Sequence, residues 1–107
     1  MAVKHLLDSD FQDFIKDGMS IVDFWAEWCG PCRMFGPVFE AASEKHDGIK
    51  FGKYEITDTN KETPAKFGIR SIPATIAFKN GEAIKTQTGL MDERMFEDWI
   101  KELSNDS

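Results

Sequence analysis

The chain predicts an α/β domain in which a mixed sheet is covered by helices on both faces. Three observations carry that prediction. Short β-like runs alternate with stretches of helical period, in the order βαβαβαββα. Strands separated by helices favour parallel pairing. Near the end, Asn80-Gly81 stands between two β runs, the strongest short-range hairpin signal, and hairpin strands must be antiparallel. The length of 107 residues suits one domain. A domain of that size buries roughly two thirds of its unfolded surface, so it folds without a covalent staple.

Each element has its own signal. Val3 to Leu6 is a first strand. Asp8 or Ser9 caps a helix carrying Phe11, Phe14 and Ile15 at i, i+3, i+4, and Gly18 ends it. Ser20 to Ala26 is the second strand. Trp28 to Arg33 crosses into a helix with Phe35, Val38, Phe39 and Ala42 on its apolar face, and Pro37 inside it is expected to kink it. Ile49 to Ile56 is the third strand, and Thr59 to Phe67 reads as a short irregular helix broken by Pro64. Ala74 to Lys79 and Glu82 to Thr88 are the hairpin strands. Asp92 caps a last helix with Met95, Phe96, Trp99, Ile100 and Leu103 on one face. Only Met1-Ala2 and the polar tail Ser104-Asn105-Asp106-Ser107 read as loose ends.

Charge narrows the function. A formal net charge of −6 argues against a nucleic-acid surface, which needs a basic patch, and against an anionic membrane surface. No apolar run approaches the ~20 residues of a membrane span. The opening Met1-Ala2-Val3-Lys4-His5-Leu6-Leu7-Asp8 meets an acid too soon for a secretory signal, so a cytoplasmic protein is expected. Nothing signals oligomerisation, and a monomer is expected.

The two cysteines lie three apart in Trp28-Cys29-Gly30-Pro31-Cys32. A zinc site, a structural staple, a pair of incidental buried thiols and a redox dithiol all compete for them. Structural zinc wants four ligands, and His5 and His46 lack the spacing; no metal is expected. A disulfide closing so short a loop constrains the unfolded chain little. The redox reading has a local physical case. If Cys29 caps the helix that follows, its sulfur faces free N–H groups and the positive end of the helix dipole. Both favour thiolate, the reactive form, and Arg33 adds a cation. Cys32 falls about one turn later, on the same side. Gly30 lets a partner chain approach, and Pro31 is tolerated in the first turn and stiffens the loop.

Asp23 stands in the apolar run Ile21-Val22-Asp23-Phe24-Trp25. Burial there raises its pKa and makes it a candidate proton carrier near neutrality; the bland alternative is a partly exposed strand residue without a role.

Phe24-Trp25-Ala26-Glu27-Trp28-Cys29-Gly30-Pro31-Cys32-Arg33-Met34 closely resembles the active-site segment of the thioredoxin family. The resemblance continues through Pro37, Ile69-Arg70-Ser71-Ile72-Pro73-Ala74, Phe78-Lys79-Asn80-Gly81-Glu82 and Gly89. It implies a single thioredoxin domain over residues 1–107, with a central five-stranded mixed sheet, four flanking helices and an α/β/α sandwich. It implies a protein-disulfide reductase in which Cys29 is the nucleophile, Cys32 resolves the mixed disulfide and Asp23 is the general base for Cys32. Lys53 resembles the family lysine that approaches this aspartate, although a solvated surface lysine is an equal alternative. The Ile72–Pro73 bond is expected to be cis, holding an extended loop beside Cys29 where a substrate chain can pair. Trp28, Ile72, Pro73, Thr88 and Gly89 would then form a flat apolar surface round the dithiol. No bound cofactor is implied; electrons come from a flavin thioredoxin reductase using NADPH, and disulfide-bearing proteins are the substrates. Gly30-Pro31 between the cysteines points to the reducing branch, with an oxidant or isomerase as the alternative and a docking subunit as a second. Thr57, Ser71 and Thr88 depart from the residues common in the family and leave partner preference open.

Overall fold

The computed structural model describes residues 3–104. Within them lie five strands, β1 (Val3–Leu6), β2 (Met19–Trp25), β3 (Lys50–Glu55), β4 (Ala74–Lys79) and β5 (Glu82–Thr88). Four helices, α1 (Phe11–Ile15), α2 (Gly30–Lys45), α3 (Glu62–Lys66) and α4 (Glu93–Leu103), alternate with them in the expected order. The sheet order is β1-β3-β2-β4-β5. β1, β3 and β2 are parallel, and β4 is antiparallel to both β2 and β5.

One pairing expectation is corrected. α3 separates β3 from β4, yet the two strands run in opposite senses. The connection does not run back along the sheet: its only helix has five residues and spans ~8 Å, less than half the ~20 Å of a six-residue strand. It stays at the end where β3 finished and enters β4 there. Ala74 therefore pairs with Phe24. That register brings the cis Ile72–Pro73 bond to the end of β2 that leads to the cysteines.

Alternation along the strands splits the core between two layers of helices. On one face Val22, Phe24, Tyr54, Ile76 and Phe78 pack with Phe11 and Ile15 of α1 and with Phe67 beyond α3. On the other, Ile21, Phe51 and Ala77 pack with Phe35, Phe39 and Ala42 of α2 and Phe96, Trp99, Ile100 and Leu103 of α4. This is the α/β/α arrangement of the thioredoxin fold. The hairpin forms at Asn80-Gly81, both at positive φ, 50° and 90°, as a tight two-residue turn requires. Asn80 also ties the turn to the end of α1, since its side-chain oxygen accepts from the Gly18 N–H at 2.8 Å.

Four local expectations shift. The residue before α1 is Asp10, without a side-chain cap, and Asp8 serves elsewhere. Its carboxylate accepts from the N–H groups of Glu62 and Thr63, so it caps α3 across 54 and 55 residues. α3 starts at Glu62 instead of near Thr59, because Thr57 and Asn60 close a small bridge first. Pro64 does not break it; in the first turn its missing N–H has no intrahelical partner to lose. Met95 points to solvent at the edge of α4. Asp92 caps α4 as expected, accepting from the Met95 N–H at 2.8 Å. α2 runs as one helix through Pro37. Of the tail, residues 105–107 lie outside the described residues.

Candidate active site

The site begins where β2 ends. Ala26 accepts from the Cys29 N–H at 3.2 Å, turning the chain out of the sheet. Cys29 then takes an extended conformation, φ −99° and ψ 111°, as the N-cap of α2. Gly30 and Pro31 open the helix; Pro31 loses nothing, since a first-turn N–H has no intrahelical acceptor. The Cys29 sulfur accepts from the Cys32 N–H at 3.2 Å. The first turn of α2 holds no acidic residue, unlike those of the other three helices. Sulfur at this point therefore faces the positive end of a sixteen-residue helix, with no carboxylate opposing it.

Cys29 and Cys32 are joined as a disulfide, with Cα atoms 5.2 Å apart. They are 6% and 2% exposed and pack with Ala26, Trp25 and Ile72. The Cys29 sulfur lies 3.8 Å from the carbonyl oxygen of Ile72. Arg33 does not turn its charge on the sulfur; its Nη1 donates to the Glu27 carbonyl at 2.8 Å.

Around the dithiol, Trp28 is 77% exposed, Pro31 and Thr88 are exposed, and Gly30, Ile72 and Gly89 are half-buried. Pro73 departs from the expected open apolar surface: it is buried, and its carbonyl accepts from the Gly89 N–H at 2.8 Å. This bond locks the end of β5 to the cis-proline loop. Ser71 lies exposed beside them, while Thr57 sits apart in its bridge with Asn60.

Beneath α2, the sheet carries a polar row. Asp23 pairs with Lys53 of β3 on one side and Thr75 of β4 on the other. Two residues back, Phe51, Ile21 and Ala77 form the matching apolar row. Asp23 is fully buried, and neither carboxylate oxygen has a hydrogen-bond partner among the described residues. Burial pushes its pKa up to about 7, against a downward pull from the Lys53 charge.

Lys53 is not a solvated surface residue; it is 8% exposed. Its ammonium lies 4.8 Å from the Trp25 ring centroid and 3.5 Å from Glu40 of α2. A Cβ added at Gly36 would sit 3.4 Å from it. Glu40, Gly36 and Thr75 thus join the site without having been expected. Cys32, Gly36 and Glu40 recur every four residues on one helix face, a spacing that could have flagged Glu40. Thr75 shows no such local signal. His46 lies 2.8 Å from Glu97 and takes no part here.

A thioredoxin family model matches residues 2–102. A curated thioredoxin of Rickettsia prowazekii is 45% identical over 101 residues, 92% of this chain and 95% of that one. One of Staphylococcus saprophyticus is 44% identical, covering 83% and 86%. One of Haemophilus influenzae is 38% identical, covering 94% and 95%.

Proposed function

The chain belongs to the thioredoxin family and is a thiol–disulfide oxidoreductase with a redox-active cysteine pair, and on that premise we propose the following division of labour. As a protein-disulfide reductase it carries two electrons between partners, cycling the pair between dithiol and disulfide, and the family's reductase recharges it.

Cys29 is the attacking sulfur. Its thiolate forms a bond to one sulfur of a substrate disulfide, and the other substrate sulfur leaves as thiolate and takes up a proton. Asp23, ionised, accepts the thiol proton of Cys32. The Cys32 thiolate then attacks the Cys29 sulfur of the mixed disulfide, and the second substrate sulfur leaves. The substrate ends reduced by two electrons and the Cys29–Cys32 pair oxidised. The observation that carries the assignment is the buried, unpartnered Asp23 carboxylate, whose pKa near 7 suits both taking up and giving back a proton at neutral pH. Lys53 tunes it.

Trp28, Gly30, Pro31, Ile72, Thr88 and Gly89 are the substrate surface, and buried Pro73 holds the loop behind it. Exposed Trp28 and half-buried Ile72 supply apolar contact. With the Pro73 carbonyl already taken by Gly89, backbone pairing falls to Ile72. The reductase is a flavoprotein using NADPH, and the protein acts as a cytoplasmic monomer in a single domain over residues 1–107. No helix among the described residues is long and apolar enough to cross a membrane.

The test is the reduction potential of the Cys29–Cys32 couple, equilibrated against glutathione or a dithiol buffer. Each ~30 mV corresponds to about 1.4 kcal/mol. A potential well below the glutathione poise is expected of a general reductant. One near that of disulfide isomerases would reverse the direction and the localisation together. With Cys32→Ser, the mixed disulfide with a protein substrate should accumulate; failure to trap it removes the resolving role.

A further inference from the structure

We propose that the Thr75 hydroxyl is the hydrogen-bond partner of the Asp23 carboxylate and helps to set how readily that group takes a proton. The proposal concerns a positioning residue, and its bearing on catalysis rests on the reading of Asp23 as the base for Cys32.

The register places the two residues directly opposite in the antiparallel pair β2 and β4. They share a sheet face, since the pair two residues along, Ile21 and Ala77, enters the core beneath α2 and α4. Cβ atoms of residues directly opposite lie about 4.5–5.5 Å apart. A hydroxyl and a carboxylate can bridge that span by rotation about χ1. Both side chains are fully buried. Thr75 Oγ1 and both Asp23 oxygens lack any partner among the described residues. Two groups that each need a partner thus sit side by side in the sheet interior, where leaving either unpaired is costly. Thr75 itself is flanked in β4 by Ala74, Ile76, Ala77 and Phe78, so packing alone gives no reason for a hydroxyl.

The remaining groups leave this role open. From β3, Lys53 faces Asp23, but its ammonium is paired with Glu40 of α2. The first turn of α2 contributes Cys32, and α4 turns Phe96 and Trp99 to this face. The position opposite Asp23 in β4 is Thr75, which is not ionisable near neutrality. The hydroxyl can donate to the ionised carboxylate, and a hydrogen bond to the charged form favours that form.

The experiment is a titration of the Asp23 carboxyl by NMR in the disulfide form, where no thiol titrates, using carboxyl-labelled aspartate. Thr75→Val should raise the midpoint by about one pH unit, a tenfold weaker acid. Thr75→Ser should stay within about 0.3 units of the parent, since it keeps the hydroxyl. An unchanged or lowered midpoint in Thr75→Val overturns the proposal. Should that variant fail to fold, Thr75→Ala against Thr75→Ser makes the same comparison. Asp23→Asn in the mixed-disulfide assay separates the two ideas. An unaltered resolution rate there removes Asp23 as the base, while a shifted midpoint in Thr75→Val still establishes the hydrogen bond.

Discussion

Asp8, in the turn after β1, and Asp23, in the middle of β2, meet opposite fates. Asp8 follows β1 and is only half-buried. Its carboxylate accepts from the Tyr54 hydroxyl at 2.5 Å, the Thr63 hydroxyl at 2.7 Å, the Thr63 N–H at 3.0 Å and the Glu62 N–H at 3.2 Å. Burial would raise its pKa, but bonds from Thr63, Tyr54 and the Glu62 backbone overcome that and hold it far below the usual carboxylate range. The Tyr54 hydroxyl, buried and donating to an anion, is pushed well above its ordinary value. Asp23 lies in mid-strand with none of these donors and is pushed up to about 7 by burial. Asp8 is less buried and well supplied with donors, Asp23 is fully buried and has none among the described residues, and both differences push the two carboxylates apart in the same sense. The first region is a closed knot joining β1, β3 and α3. In the second, neither carboxylate oxygen has a hydrogen-bond partner among the described residues.

The comparison can be broken most forcefully at Asp23. Its folded pKa is raised from 3.8 to about 7, so ionising it opposes folding. Little cost is present below pH 4, and it grows as pH rises through the unfolded value and levels off above about 7. Three units correspond to about 4 kcal/mol. Asp23→Asn should remove that part of the decline in stability between pH 4 and pH 8, read by denaturant unfolding of the disulfide form. It should also slow release of reduced substrate most at neutral pH. A variant with the parent's pH slope would mean that Asp23 ionises at the ordinary carboxylate value, unshifted by folding.

Asp8→Ala should cost about 2 kcal/mol, because it leaves buried donors of Tyr54 and Thr63 without an acceptor. Its sign is opposite. A depressed folded pKa stabilises fully above the ordinary carboxylate value and is lost as pH falls below about 4. The loss should therefore be seen at pH 7 and shrink in acid, with the reduction potential unmoved. A potential that shifts with Asp8→Ala would show that the two regions are coupled.

Lys53→Met makes the smallest change. Removing the cation should lift the Asp23 midpoint further above 7, by up to about one unit, measured by the same carboxyl titration. A midpoint that stays put would mean that the ion pair with Glu40 already quenches the lysine at Asp23.

Much of this was legible in the chain itself. The dithiol, the helix that opens on it, the Asn80-Gly81 turn, the Asp92 cap and the carboxylate stranded in an apolar strand are all local patterns, and each holds in three dimensions. Local chemistry dictates them: a turn needs particular residues, a cap needs an oxygen at one position, and alternation assigns a face. Tertiary structure alone decided that β4 runs against β2, the register by which the expected cis-proline loop reaches Cys29. It alone assigned Asp8 to α3 instead of α1, set Lys53 under Glu40 and placed Thr75 opposite Asp23. Each of these depends on which residues of distant segments come to lie side by side. That is a matter of strand register and of which end of the sheet a connection returns to, and composition near the residue carries no trace of it.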